Sequence, residues 1–158
     1  MTTEADRYWK QYIESLPANV DPPENYADAF HFGFSPADGD EIAPLVLIST
    51  KTATGSILWS YEHDNEPVPC KGDYCVIQDG QGVPVCIIQT IDVAIIPFDE
   101  VPELYAWEGG ERDRTLESWK SIYWDYIVSE CERIGREATR KTPLVMERFV
   151  VVYSEPLH

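Results

Sequence analysis

The sequence predicts an α+β domain, and three observations carry that expectation. Residues 3 to 16 and 116 to 134 repeat apolar side chains at helical spacing. Between them lie short alternating apolar runs cut by Gly, Asp and Pro turns, the pattern of a small antiparallel sheet or barrel. A chain of 158 residues with 44% hydrophobic and 12% aromatic residues is one folded domain with a real core, not a disordered chain.

The first helix follows from Tyr8, Trp9, Tyr12, Ile13 and Leu16 on one face behind Thr2 and Thr3. Its aromatic stripe reads as core. Pro17 and then Asp21-Pro22-Pro23 end it, because a proline pushes the residue before it out of the helical region. Residues 24 to 40 form a turn-rich connection, and its run Phe30-His31-Phe32-Gly33-Phe34 reads as packing in preference to a base-stacking surface. Ser35 makes a good N-cap with Pro36 at the first helical position, although Gly39 delays the expected helix to Glu41. Ile42, Leu45, Val46, Leu47 and Ile48 then read as a short buried helix.

Residues 57 to 61 alternate as a strand, followed by turns at 63 to 67 and 71 to 73 and a strand over 74 to 78. Asp79-Gly80-Gln81-Gly82 has hairpin-turn composition. Residues 83 to 90 return as the partner strand, and 91 to 96 extend it past a bend to Pro97. A short helix over 102 to 107 is stopped by Gly109-Gly110. Thr115 caps the longest helix, striped with Leu116, Trp119, Ile122, Tyr123, Tyr126, Ile127 and Ile134 and ending near Gly135. A strand over 145 to 153 closes the chain, with Met146, Phe149 and Val151 among its inward residues.

Charge narrows the function. Twelve basic against 28 acidic residues give a net charge of −16, which repels duplex phosphates and excludes strong nonspecific nucleic-acid binding. A small uncharged ligand remains, as does an RNA end on a local basic patch. The candidate patch is Arg133, Arg136, Arg140, Lys141 and Arg148. No stretch approaches the roughly 20 apolar residues of a membrane span, and no signal peptide is evident, so a cytoplasmic protein with no membrane partner is expected. The four cysteines form no CxxC pair and read as free thiols, mostly buried. With three scattered histidines, neither a metal site nor a cofactor is expected.

The densest chemistry sits at Ser49-Thr50-Lys51-Thr52-Ala53-Thr54-Gly55-Ser56. If the run after Lys51 is extended, Thr52, Thr54 and Ser56 share one face, and small Ala53 and Gly55 let a ligand approach the backbone. A lysine in a partly dry pocket serves as a base toward a neighbouring hydroxyl. A solvated turn capped by its own hydroxyls fits the same spacing.

The motif Lys51-Thr52-Ala53-Thr54-Gly55-Ser56, then Trp59-x-Tyr61-Glu62 and Gly72-Asp73-Tyr74, resembles the ASCH-domain family. So do Asp79-Gly80, Pro84-Val85-Cys86, Pro97-Phe98-Asp99-Glu100-Val101, the loop 108 to 113, Leu116-Glu117-x-Trp119 and Val150-Val151-Val152-Tyr153. The similarity runs in order over residues 26 to 154. It implies a PUA-like fold, a small β-barrel of mixed or antiparallel strands with flanking helices. A single such domain over 26–158 is expected, with residues 1–25 as an N-terminal helical extension packed on it.

The resemblance also implies work on RNA or modified nucleosides. Some members resemble RNA-binding modules, others ribonucleases, and a smaller group resembles amidohydrolases that deacetylate N4-acetylcytidine with a Lys/Thr/Glu site. Carried over, the catalytic residues become Lys51, Thr54 and an acid that spacing leaves open between Glu108 and Glu111. The expected ligand contacts are Thr52, Ser56, Trp59, Glu62, Trp107 and Tyr123, with Trp59 or Trp107 stacking the base and an N–H near Gly55 facing an oxyanion. Tyr123 stands where larger members often have histidine. The partner is then a modified nucleoside or single-stranded RNA.

Overall fold

The computed structural model describes residues 2–155. Among them are five α-helices and one five-stranded sheet: α1 (Glu4–Ser15), β1 (Asp28–Phe30), α2 (Pro36–Leu47), β2 (Ala53–Ile57), α3 (Leu58–Asp64), β3 (Tyr74–Gln78), β4 (Pro84–Pro97), α4 (Glu103–Gly109), α5 (Leu116–Ile134) and β5 (Pro143–Ser154). The sheet order is β1-β3-β4-β5-β2. The pairs β3–β4 and β2–β5 are antiparallel, but β1 runs parallel to β3, so the sheet is mixed.

The chain divides into two compact units. The first contains residues up to 49, 72–89 and those from 150 onward; the second contains 50–71 and 90–149. In the first unit, Ala5, Tyr8, Trp9 and Tyr12 of α1 bury against Val76 and Ile87. Thr3 and Asp6 form the capping box that starts α1. The Trp9 ring sits 5.4 Å from Tyr12, 5.6 Å from Tyr26 and 5.5 Å from Tyr74, so the stripe read from the sequence is core. In the second unit, Ala53, Ile57, Leu144 and Met146 meet Tyr105 and Ala106 of α4 and Trp119, Tyr123 and Ile127 of α5.

Several elements differ from the sequence reading. Residues 58 to 61 are helical, not a strand. The β2–β5 ladder ends at the Ile57–Leu144 pair because the next β5 residue, Pro143, has no N–H to donate. The chain turns instead into α3, closed by Asn65 in the left-handed region at φ 54°. Helix α2 begins at Pro36, five residues before Glu41, with the Ser35 side chain accepting from the Asp38 N–H. Gly39 belongs inside it, since a Cβ there would lie 2.9 Å from the Gly80 backbone, where the Asp40 carboxylate accepts the Gly80 N–H. Strand β1 lay unseen in the turn-rich connection, too short to show a period. Residues 91 to 96 continue β4 without a separate element. Met146 and Phe149 are both buried but on opposite faces, because β5 packs on both sides.

No disulfide forms among the described residues. Burial pushes the Cys86 thiol up to about 12 and raises that of Cys131, which leaves both inert as nucleophiles. No described helix is long and apolar enough to cross a membrane.

Trp9→Ala should lower unfolding stability by about 3–5 kcal/mol, measured by chemical denaturation, because three aromatic neighbours lose their common contact.

Candidate functional site

Lys51 lies two residues before β2 and is only 2% exposed. Its Nζ donates to Glu111 Oε2 at 3.1 Å and to the Gly109 carbonyl at 3.3 Å. Glu111 keeps 28% of its side chain exposed, so the pair joins the interior to solvent. Gly109 is the last residue of α4, and Glu111 belongs to the loop between α4 and α5. Gly110 lets that loop turn back at φ 70°, and a Cβ there would sit 2.5 Å from the Thr50 carbonyl oxygen. Arg112 and Arg114 also lie in the left-handed region, at φ 54° and 63°, each at a cost of about 1–2 kcal/mol for a residue with a Cβ. Arg114 ties the loop down, donating from Nε to the Trp107 carbonyl at 2.7 Å and from Nη2 to the Thr50 carbonyl at 3.3 Å.

Glu108 has a different partner. Its carboxylate takes a forked pair of bonds from Arg148, with Nε to Oε2 at 2.7 Å and Nη2 to Oε1 at 3.0 Å. The Arg148 Nη1 donates to Asp92 at 3.0 Å and to the Tyr105 hydroxyl at 3.1 Å, and its guanidinium lies 4.1 Å over the Tyr105 ring. The hydrogen bonds to Glu108 raise the Arg148 pKa further above its usual value. Of the two acids, Glu111 meets Lys51 and Glu108 meets Arg148.

The other expected residues are placed as follows. Thr52 is fixed through its backbone, its N–H donating to the Glu108 carbonyl and its C=O accepting from the Phe149 N–H. Alternation along β2 sends Ala53, Gly55 and Ile57 toward α4 and α5, and Thr54 and Ser56 to the opposite face. Ser56 Oγ shares a 2.7 Å hydrogen bond with the Tyr61 hydroxyl. The Gly55 N–H, expected at an oxyanion, donates instead to the Tyr123 hydroxyl at 3.1 Å. Tyr123 is buried and stacked on Trp119, ring centroids 4.2 Å apart. Trp59 packs on the second unit's core under the Arg136 guanidinium, and Arg136 also pairs with Glu62 at 3.7 Å. Trp107 is 55% exposed, with Arg114 lying 3.6 Å over its ring.

The basic cluster is largely answered by the chain's own carboxylates. Arg133 pairs with Asp64 and Glu130, Lys141 with Asp99 and Glu100, and Arg148 with Glu108 and Asp92. Arg140 lies 3.9 Å over Trp124. Sequence reasoning missed Arg148, Tyr105 and Asp92 as a group. The available signal was Glu147-Arg148, a charged pair inside an otherwise apolar strand.

A family model for the ASCH domain matches residues 28–153. The chain belongs to the ASCH domain family. The crystal structure of an ASCH domain from Lactobacillus crispatus JV V101 aligns with a TM-score of 0.89 at 28% identity, covering 95% of this chain and 94% of that one. A protein from Enterococcus faecalis V583 aligns at 0.84 with 29% identity, covering 96% and 90%. No curated protein matches significantly. The ASCH fold is PUA-like and associated with RNA binding, so the α+β, PUA-like expectation holds.

Two outcomes test this geometry. Gly110→Ala should cost at least ~2 kcal/mol, from left-handed strain plus the clash with the Thr50 backbone, read as a lower unfolding midpoint. Asp113 lies two residues before Thr115, the N-cap of α5, and hydrogen bonds from Ser118 and Thr115 hold its carboxyl below the ordinary 3.8. Its contribution is therefore complete above that pH and lost as pH falls through the lowered value. The melting-temperature gap between wild type and Asp113→Asn should be full at neutral pH and close in strong acid.

Proposed function

We propose that this ASCH domain hydrolyses the acyl amide of N4-acetylcytidine or a close analogue at a site made by Lys51, Thr54 and Glu111. The observation that carries the reading is the Lys51–Glu111 pair, in which a buried ammonium two residues before the strand that bears Thr54 meets a part-exposed carboxylate. Such a pair moves one proton between its members without changing net charge. With that proton on Glu111, Lys51 is the base.

Thr54 Oγ attacks the acetamide carbonyl and its proton passes to Lys51. Glu111 gives its proton to the departing exocyclic nitrogen, releasing cytidine and leaving an acetyl ester on Thr54. Water then attacks the ester, giving one proton to Glu111 while Lys51 returns its proton to Thr54 Oγ. Acetic acid leaves and the pair is restored. Trp107, exposed at the end of α4, offers a face for the pyrimidine, and Trp59 and Glu62 flank the outer end of β2.

Charge supports a small neutral substrate. Of the five cations between 133 and 148, four are paired with carboxylates of the same chain, and a net charge of −16 opposes a phosphate-rich partner.

Purified protein should release cytidine from N4-acetylcytidine. Thr54→Ala should abolish release with an unchanged melting temperature, while Lys51→Met and Glu111→Gln should each lose roughly 10²–10⁴-fold in kcat. Cleavage or salt-dependent binding of single-stranded RNA without nucleoside turnover would replace this reading with a ribonuclease or an RNA-binding module.

A further inference from the structure

Glu147 lies inside the strand run Val145-Met146-Glu147-Arg148-Phe149, where an unneeded carboxylate would be costly. In the β2–β5 register it stands directly opposite Thr54. Such cross-strand neighbours share a face with their Cβ atoms ~4.5–5.5 Å apart. On the other side, the Thr90 hydroxyl of β4, itself 3% exposed, donates to Glu147 Oε1 at 3.3 Å. Since β5 lies between β4 and β2, Thr90, Glu147 and Thr54 form one row across three strands. Val145 and Phe149 share that face and are buried, whereas Glu147 and Thr54 stay partly exposed. The row is thus a polar strip with apolar walls, one end held by a buried hydroxyl and the other carrying the proposed nucleophile.

We propose that Glu147 is the positioning and specificity residue of this site, accepting the exocyclic N4–H of a cytosine-type base and so setting the acyl carbonyl against Thr54. This rests on the hydrolase reading for its nucleophile, but the recognition itself does not. A carboxylate is the natural acceptor for the cytosine amine. A uracil-type base presents a carbonyl oxygen at the same position, which sets acceptor against acceptor and is repelled. Cytidine, the product, keeps the N–H and therefore also binds.

The test is calorimetric binding of cytidine and uridine to wild type and to Glu147→Gln and Glu147→Asp, alongside turnover of N4-acetylcytidine. Wild type should prefer cytidine by about 10- to 100-fold, the span of one hydrogen bond to a charged acceptor. Glu147→Gln keeps the volume and an acceptor for Thr90 but turns an NH₂ toward the base. It should lose the preference while melting like wild type. Glu147→Asp keeps the charge but retracts it, and should bind more weakly with the preference retained. An unchanged cytidine-to-uridine ratio in Glu147→Gln, or no preference in wild type, overturns the assignment. A preference that Glu147→Gln removes, in a protein that does not deacetylate N4-acetylcytidine, keeps the assignment and overturns the hydrolase.

Discussion

The buried ammonium of Lys51 is the constraint around which the second unit's loops are arranged. An ammonium taken out of water costs several kcal/mol unless it is paired and hydrogen-bonded. The chain meets that cost by turning the α4–α5 loop back onto residues 50 and 51, so that the Gly109 carbonyl and the Glu111 carboxylate reach Nζ. Three positions between 110 and 114 adopt left-handed backbone to do it, two of them with side chains. Strain that persists in a loop is held by its surroundings. Here Lys51 holds the loop from within, and Arg114, bonded to the carbonyls of Trp107 and Thr50, holds it from outside.

The same economy of charge organises what lies around the pair. Arg148 removes Glu108 from contention by a forked ion pair, leaving Glu111 as the carboxylate for Lys51. Tyr123 satisfies the Gly55 N–H, which an edge strand otherwise leaves to solvent. It fills the space left by the missing Cβ of Gly55, where an added Cβ would lie 3.1 Å from the tyrosine ring and 2.7 Å from Met146 Sδ. One face of β2 is therefore closed by α5 and Met146, and Thr54 and Glu147 stand side by side on the other.

Elements whose causes are local were legible in the sequence. Ser35 and Thr115 announce the starts of α2 and α5, the 79–82 turn announces a hairpin, and the stripe from Trp119 to Ile134 announces a packed helix. Ordered motifs from Lys51 to Tyr153 gave the family. What stayed hidden depends on partners distant in sequence. The end of β2 at Ile57 is decided by Pro143 across the ladder. The choice between Glu108 and Glu111 is decided by Arg148 and Lys51, and no spacing along the chain encodes that division. Glu147 gains a reading only once its register against Thr54 is known.

The measurement that bears most directly on the account is mass spectrometry of the protein during incubation with N4-acetylcytidine, with cytidine followed in the same samples. An acyl-enzyme on Thr54 predicts cytidine release together with one acetyl group on the peptide that carries Thr54, absent from Thr54→Ala. Cytidine release at an undiminished rate from Thr54→Ala, or no release from the wild type, would contradict it.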